Sequence, residues 1–136
     1  MSNQKTLSII KPDAVKAGHT NAINLMIESY GLKILQRKEL NLTIEQAEKF
    51  YAVHSDKPFY KDLCEFMTSG PIVVQILEGD NAVELYRKVM GSTNPDEAEE
   101  NTIRKKFATS IQENAVHGSD SEENALKELN FFFKKS

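Results

Sequence analysis

The chain contains four segments whose hydrophobic pattern is typical of β-strands. Residues 72–77 are nearly all apolar and rich in β-branched side chains, which is the pattern of a central strand. Residues 6–10 alternate and then become apolar, and this strand should end at Lys11-Pro12-Asp13. We expect the other two strands at residues 32–40 and 111–117.

The segments between these strands have the apolar spacing of helices. Thr43-x-x-Gln46 is a capping box, Asp80 stands where a helix N-cap is expected, and Gly31 and Gly91 are placed to end helices. The predicted helices cover residues 22–27, 43–54, 60–67, 81–90 and 121–131. Strands and helices in this order predict an α+β fold with helices covering a small, mainly antiparallel sheet. The chain has no internal repeat or linker, which predicts one domain over residues 1–136.

Composition narrows the class of protein. A formal net charge of −3 argues against a nucleic acid or an anionic membrane as the main partner, because both favour a strongly basic surface. No apolar run approaches the roughly 20 residues that span a bilayer. Cys64 is the only cysteine, so we expect it to be a small buried hydrophobe in a protein of the reducing cytoplasm.

Residues 114–120, Asn-Ala-Val-His-Gly-Ser-Asp, are the most informative segment. His117 ends an apolar run and is followed by glycine, which predicts an imidazole with an open approach where a strand leads to a helix. A phosphoryl acceptor needs such a neutral, held nucleophile. Phosphoryl transfer also needs cations for the phosphate oxygens. His19 and His54 lack metal-ligand spacing to His117, and we interpret both as structural.

Five blocks in this order resemble the nucleoside diphosphate kinase family, and the resemblance runs from residue 6 to residue 133. The blocks are Ile10-Lys11-Pro12-Asp13, Lys57-Pro58-Phe59, Ser69-Gly70-Pro71, Gly91-x-Thr93-Asn94-Pro95 and Asn114-x-x-His117-Gly118-Ser119-Asp120. The resemblance implies a ferredoxin-like βαββαβ sandwich with a four-stranded antiparallel sheet, assembled as a homo-oligomer (tetramer or hexamer). It also implies ping-pong transfer of the γ-phosphate of a nucleoside triphosphate, typically ATP, to a nucleoside diphosphate, which maintains the NTP and dNTP pools.

The resemblance assigns the catalytic roles. His117 would carry the phosphate on its pros nitrogen, Glu128 would orient the imidazole, and Ser119 would hold Glu128. Ser119-x-x-Glu122 is also the pattern of a capping box, so we expect Ser119 to cap the last helix as well. Lys11 would contact both the phosphates and the ribose.

The resemblance also implies the nucleotide contacts. Arg87, Arg104, Thr93 and Tyr51 would bind phosphate oxygens, and Asn114 would bind the sugar 3′-hydroxyl. The base would stack on Phe59, with Ile111 on its opposite face and Leu63 nearby; stacking tolerates every base, so selectivity should be weak. Mg²⁺ would arrive bridging the β- and γ-phosphates rather than in a protein cage, and Asp120 is either a water-mediated contact to it or a helix cap.

Two departures from the family pattern bear on these expectations. The segment Gly18-His19-Thr20-Asn21 replaces a stretch that is usually more apolar and has a glycine near position 21, and we expect Asn21 to cap the following helix. Residues 96–101 form an acidic loop where many relatives carry a Lys-Pro-Gly turn, which leaves the geometry of the oligomer open. Two alternative functions also stay open: a scaffold or nucleic-acid-binding protein that kept the fold without turnover, and transfer of phosphate to protein histidines.

Overall fold

The computed structural model describes residues 3–111 and 113–133. Its strands are β1 (Asn3–Ile10), β2 (Lys33–Leu40), β3 (Ile72–Asp80) and β4 (Val116–Gly118). Its α-helices are α1 (Pro12–Lys16), α2 (Thr20–Ser29), α3 (Ile44–Phe50), α4 (Tyr60–Met67), α5 (Ala82–Met90), α6 (Ile103–Phe107) and α7 (Glu122–Phe132). Short 3₁₀ turns cover Ala52–His54 and Pro95–Glu97.

The four strands form one antiparallel sheet in the order β2-β3-β1-β4. β1 and β3 lie at the centre and pair along their whole length, from Asn3 opposite Asp80 to Ile10 opposite Val73. β4 is a short edge strand on β1, with His117 opposite Ile9. This arrangement confirms the predicted ferredoxin-like α+β fold.

Hydrophobic side chains are buried on both faces of the sheet. On one face, Ile10 and Leu77 pack with Tyr86 of α5 and with α2. On the other face, Leu7 and Val74 pack with side chains of α3, α4 and α7, and the buried Cys64 belongs to this cluster, as expected. Because both faces of β3 are covered, residues 72–77 lack the polar alternation of a half-exposed strand.

The capping box at Thr43 and Gln46 is present, and Gly91 ends α5 with a φ of 84°. Two other helix predictions were wrong. The predicted helix over residues 43–54 is interrupted, because α3 ends at Phe50 and a 3₁₀ turn follows. Asp80 is not a cap: it is the last residue of β3, and Asn81, with a φ of 51°, precedes α5 instead.

Two further predictions about local structure need correction. Asn21 does not cap a helix, because it lies inside α2 and His19 occupies the N-cap position. The predicted strand over residues 111–117 was too long, and residue 112 lies outside the described residues. β4 begins only at Val116, because the backbone turns sharply at Ala115, where φ is 74°.

None of the helices within residues 3–111 and 113–133 is both long and apolar enough to span a membrane.

Candidate active site

His117 lies in the middle of β4, and its side chain is 23% exposed. The glycine after it is required by packing against α5. A Cβ atom on Gly118 would lie 2.6 Å from Met90 Cε and 2.7 Å from Tyr86 Cδ2. The sequence predicted an open approach to the imidazole, and close packing on α5 is a separate reason for this glycine.

The predicted contact between His117 and Glu128 is present. Nε2 of His117 lies 3.1 Å from Oε1 of Glu128, which projects from α7. Ser119, almost fully buried, donates its hydroxyl hydrogen to the same Oε1 at 2.7 Å. The carboxylate therefore engages one ring nitrogen and is itself held by a second hydrogen bond.

Neither Ser119 nor Asp120 caps α7. The cap is Ser121, whose Oγ accepts a hydrogen bond from the backbone N–H of Asn124 at 3.1 Å. The predicted capping box at Ser119 was therefore wrong, because α7 begins two residues later than that pattern requires. Asp120 accepts a hydrogen bond from the side-chain amide of Asn124 and stays exposed.

Lys11 and Asn114 are brought together although they are distant in sequence. Lys11 Nζ donates to Asn114 Oδ1 at 2.8 Å, and both side chains are buried. Burial, followed by the nearby Arg104 guanidinium, lowers the pKa of Lys11 to about 8, against the attraction of Asp13. The bond to Asn114 is the one side-chain hydrogen bond of Lys11 among the described residues, and a buried ammonium with donors to spare is suited to binding an anion.

Arg104 of α6 connects the end of α5 to β4. It donates from Nη1 to the Gly91 carbonyl at 3.0 Å and from Nη2 to the Val116 carbonyl at 2.9 Å. Its Nε is buried and has no hydrogen-bond partner among the described residues. Burial lowers the pKa of Arg104.

Arg87, Thr93 and Arg104 line one open cleft with a volume of about 980 Å³. Arg87 also lies close to the turn after β4, with Nη1 3.4 Å from the Asp120 carbonyl oxygen. The acidic segment forms part of the wall, since Glu97 and Glu99 line the same cleft. The cleft thus combines two arginines with carboxylates.

Tyr51 follows α3 and presents the edge of its ring to His117, with ring centroids 6.4 Å apart. Its hydroxyl is buried and has no hydrogen-bond partner within the part of the chain that the structure describes. Burial raises the pKa of Tyr51. Phe50 also packs edge-on against His117, at 5.5 Å. Sequence reasoning missed Phe50, because an aromatic residue inside a helix gives no sign of which tertiary neighbour it contacts.

The residues predicted to hold the base lie on the surface or close to it. Phe59 is 48% exposed and Ile111 is 60% exposed, while Leu63 of α4 is partly buried. The Phe59 ring centroid lies 5.7 Å from that of His54. Their role in base stacking stays a prediction.

Asp13 is a second residue that sequence reasoning did not assign. Its Oδ2 accepts a hydrogen bond from the backbone N–H of Ala115 at 3.2 Å, and burial raises its pKa. The only signal in the sequence was its position in the Lys11-Pro12-Asp13 block.

Within residues 3–111 and 113–133, no three His, Cys, Asp or Glu side chains are grouped in a way that could hold a metal ion. One carboxylate, that of Asp120, is exposed three residues after His117. An exposed carboxylate that belongs to no such group fits a cation that keeps most of its water and is carried mainly by substrate phosphates.

Comparison with known proteins identifies the family of this chain. The family model described as nucleoside diphosphate kinase matches residues 4–136. The chain belongs to the nucleoside diphosphate kinase family. This confirms the membership predicted from the five sequence blocks.

Family members of known sequence and structure resemble the chain along nearly its whole length. The nucleoside diphosphate kinase of Methylobacterium radiotolerans is 57% identical over 136 residues, covering 100% of this chain and 97% of that protein. The one from Wolbachia sp. subsp. Drosophila simulans is 59% identical over 133 residues, covering 98% of this chain and 96% of that protein.

Two solved structures are similar. The Aquifex aeolicus nucleoside diphosphate kinase has a TM-score of 0.96 at 40% identity, covering 98% of this chain and 96% of that one. The Halobacterium salinarum nucleoside diphosphate kinase in complex with CDP has a TM-score of 0.94 at 34% identity, covering 98% of this chain and 90% of that one.

Proposed function

We propose that this nucleoside diphosphate kinase carries the transferred phosphoryl group on His117, between a nucleoside triphosphate donor, typically ATP, and a nucleoside diphosphate acceptor. The contact between His117 Nε2 and Glu128 carries the proposal. In a neutral imidazole one nitrogen bears the hydrogen and the other a lone pair. If Nε2–H donates to the carboxylate, the lone pair lies on Nδ1, the pros nitrogen.

In the first half-reaction, Nδ1 forms a bond to the γ-phosphorus while the bond from that phosphorus to the bridging oxygen breaks. The imidazole gains positive charge as this happens, and the Glu128 carboxylate stabilises that charge. Ser119 keeps the carboxylate in place, because it donates to the same oxygen. The nucleoside diphosphate leaves, and a second one reverses these steps to form the new triphosphate.

Charge on the phosphate oxygens would be met by cations from three elements. Transition states of phosphoryl transfer spread charge over the equatorial oxygens, so catalysis depends on placing positive groups in advance. We assign this role to Lys11, Arg87 and Arg104. Thr93 and the buried hydroxyl of Tyr51 would add hydrogen bonds to phosphate oxygens. The Tyr51 hydroxyl has no partner among the described residues, and a buried hydroxyl without a partner is costly.

The nucleoside would be held by contacts that do not read the base edge. Asn114 would bind the 3′-hydroxyl of the sugar, and Lys11 would reach the ribose as well as the phosphates. Phe59 and Ile111 would enclose the base, with Leu63 nearby. The exposure of Phe59 and Ile111 supports this role, because a ligand can reach both side chains.

As a kinase of this family, the protein needs a divalent cation, and we propose that it is Mg²⁺ carried by the nucleotide phosphates. The cation would supply charge neutralisation on the phosphate oxygens, and Asp120 would contact it through water. We also propose a cytoplasmic homo-oligomer, tetramer or hexamer, of a single domain over residues 1–136.

Labelling with ATP tests the central step. Incubated with Mg²⁺ and ATP radiolabelled at the γ-phosphate, without an acceptor, the protein should take up acid-labile, alkali-stable phosphate and lose it when any nucleoside diphosphate is added. His117→Ala should take up none, while still binding nucleotide. His54→Ala is the matched control and should behave as wild type.

The same experiment separates this function from a scaffold that kept the fold without turnover, which would take up no label. Normal labelling or turnover of the His117→Ala variant would reject the mechanism.

A further inference from the structure

The backbone immediately before His117 adopts a rare conformation. Ala115 has a φ of 74°, in the left-handed region that residues with a Cβ rarely occupy. The N–H of Val116 donates to the carbonyl of Asn114 at 2.8 Å. A hydrogen bond from residue i+2 to residue i around a positive φ defines the strained form of the γ-turn. Such strain persists only when the surrounding structure holds it.

The contacts that hold this turn come from the segment between β1 and α1. The N–H of Ala115 donates to Oδ2 of Asp13 at 3.2 Å, and the carbonyl of Ala115 accepts from the N–H of Lys11 at 2.8 Å. Ala115 is fully buried, so water does not compete for these groups. Oδ1 of Asp13 is also buried and has no partner among the described residues, so the contact to Ala115 is this carboxylate's hydrogen bond to another segment.

The residues on either side of the turn belong to the candidate active site. Asn114 precedes it and is bonded to Lys11, whereas Val116 and His117 follow it in β4. The turn therefore sets the direction of the imidazole relative to the Lys11–Asn114 pair. A small change in φ at Ala115 would move these two groups apart.

We propose that Asp13 is a positioning residue that holds the γ-turn at Ala115, so that His117 and Lys11 meet the same phosphate. This inference rests on the proposed function, because it concerns how the nucleophile is aligned. Asp13 itself acts through the backbone of Ala115 and does not touch the reacting atoms. The hydrogen-bond acceptor is the feature that this role requires. The negative charge of Asp13 acts separately, because it raises the pKa of Lys11, so the variants are compared well below pH 8, where Lys11 stays charged.

Single-turnover phosphorylation by ATP and equilibrium binding of ADP test this role. Asp13→Ala removes the acceptor and should slow phosphohistidine formation by about 10- to 100-fold, since small misplacement of reacting groups costs rate on this scale. Its affinity for ADP should fall much less. Asp13→Asn keeps an oxygen acceptor in the same place and should stay close to the wild-type rate.

Ala115→Gly in the Asp13→Ala background is the decisive rescue. Glycine adopts a positive φ without strain, so it should recover most of the lost rate. If Asp13→Ala yields no folded protein, Asp13→Asn is compared with Asp13→Glu, which keeps the charge but displaces the acceptor. The proposal then requires Asp13→Asn to form phosphohistidine faster than Asp13→Glu.

Three outcomes would overturn the role of Asp13: equal losses of rate and ADP affinity in Asp13→Ala, no recovery in the double variant, or a damaged Asp13→Asn. As a parallel control, wild type and His117→Ala are incubated with labelled ATP, and wild type should take up label whereas His117→Ala should not. Failure of that control rejects the proposed function, whereas an intact control with an undiminished rate in Asp13→Ala rejects only the positioning role.

Discussion

Lys11 should make the stability of this protein rise between about pH 8 and pH 10.5, because its ammonium is buried in the folded state. The side chain is 8% exposed, and burial and Arg104 lower its pKa from 10.5 to about 8. In the unfolded chain the ordinary value applies. Between these two values the unfolded state binds more protons than the folded state, so raising the pH favours folding. The resulting gain in the free energy of unfolding is fully present above pH 10.5 and absent below about pH 8.

The size of the effect follows from the two pKa values. Each unit of difference corresponds to about 1.4 kcal/mol, so the folded state should gain about 3 kcal/mol across this pH range. The phosphorylation rate should change in the opposite direction to the stability. Only the charged ammonium attracts a phosphate, so this rate should fall as the pH rises through about 8.

The free energy of unfolding, measured with urea at a fixed protein concentration, tests this in wild type and Lys11→Met. Methionine has a similar length and no charge. Subtracting one profile of unfolding free energy against pH from the other removes the titrations common to both proteins. The difference that remains is the contribution of Lys11. Lys127→Met is the matched control, because it makes the same substitution at a lysine whose side chain is 72% exposed.

Parallel stability profiles for wild type and Lys11→Met over this pH range would refute the reasoning. They would mean that the ammonium is solvated in the folded protein. The structural picture of a desolvated cation bonded to Asn114 would then be wrong.

Three further predictions concern the surroundings of His117 and the base. Ser119→Ala should slow phosphorylation about tenfold, because a hydrogen bond to the Glu128 carboxylate is lost, and Glu128→Ala should slow it more. Single-turnover kinetics in which Ser119→Ala is the slower variant would contradict the assigned roles. Gly118→Ala should destabilise the fold by about 1–3 kcal/mol, because its Cβ would lie 2.6 Å from Met90 Cε; an unchanged thermal unfolding midpoint would exclude this close packing. Phe59→Ala should weaken binding of purine and pyrimidine nucleotides alike by about 1–3 kcal/mol, and a loss confined to one base, measured by calorimetry, would count against stacking.

Much of the local structure could be predicted from sequence because it depends on neighbouring residues. The capping box at Thr43 requires only a residue three positions away, and α4 was predicted at its observed bounds. Predictions failed where a distant element intervenes. Asp80 has the side chain of a helix cap, but pairing with β1 keeps it in β3. Ser119 has the spacing of a capping box, but its hydroxyl bonds to Glu128 instead.

By itself, the sequence determined the fold class and family, because hydrophobic periodicity and short motifs are local. It also supplied His117 and the three cations Lys11, Arg87 and Arg104 as candidates. Only the tertiary structure decided that Asp13 accepts a hydrogen bond from Ala115 and that Phe50 packs on the imidazole. These contacts join segments that are far apart along the chain, and their geometry depends on how β1, β4 and α3 pack together.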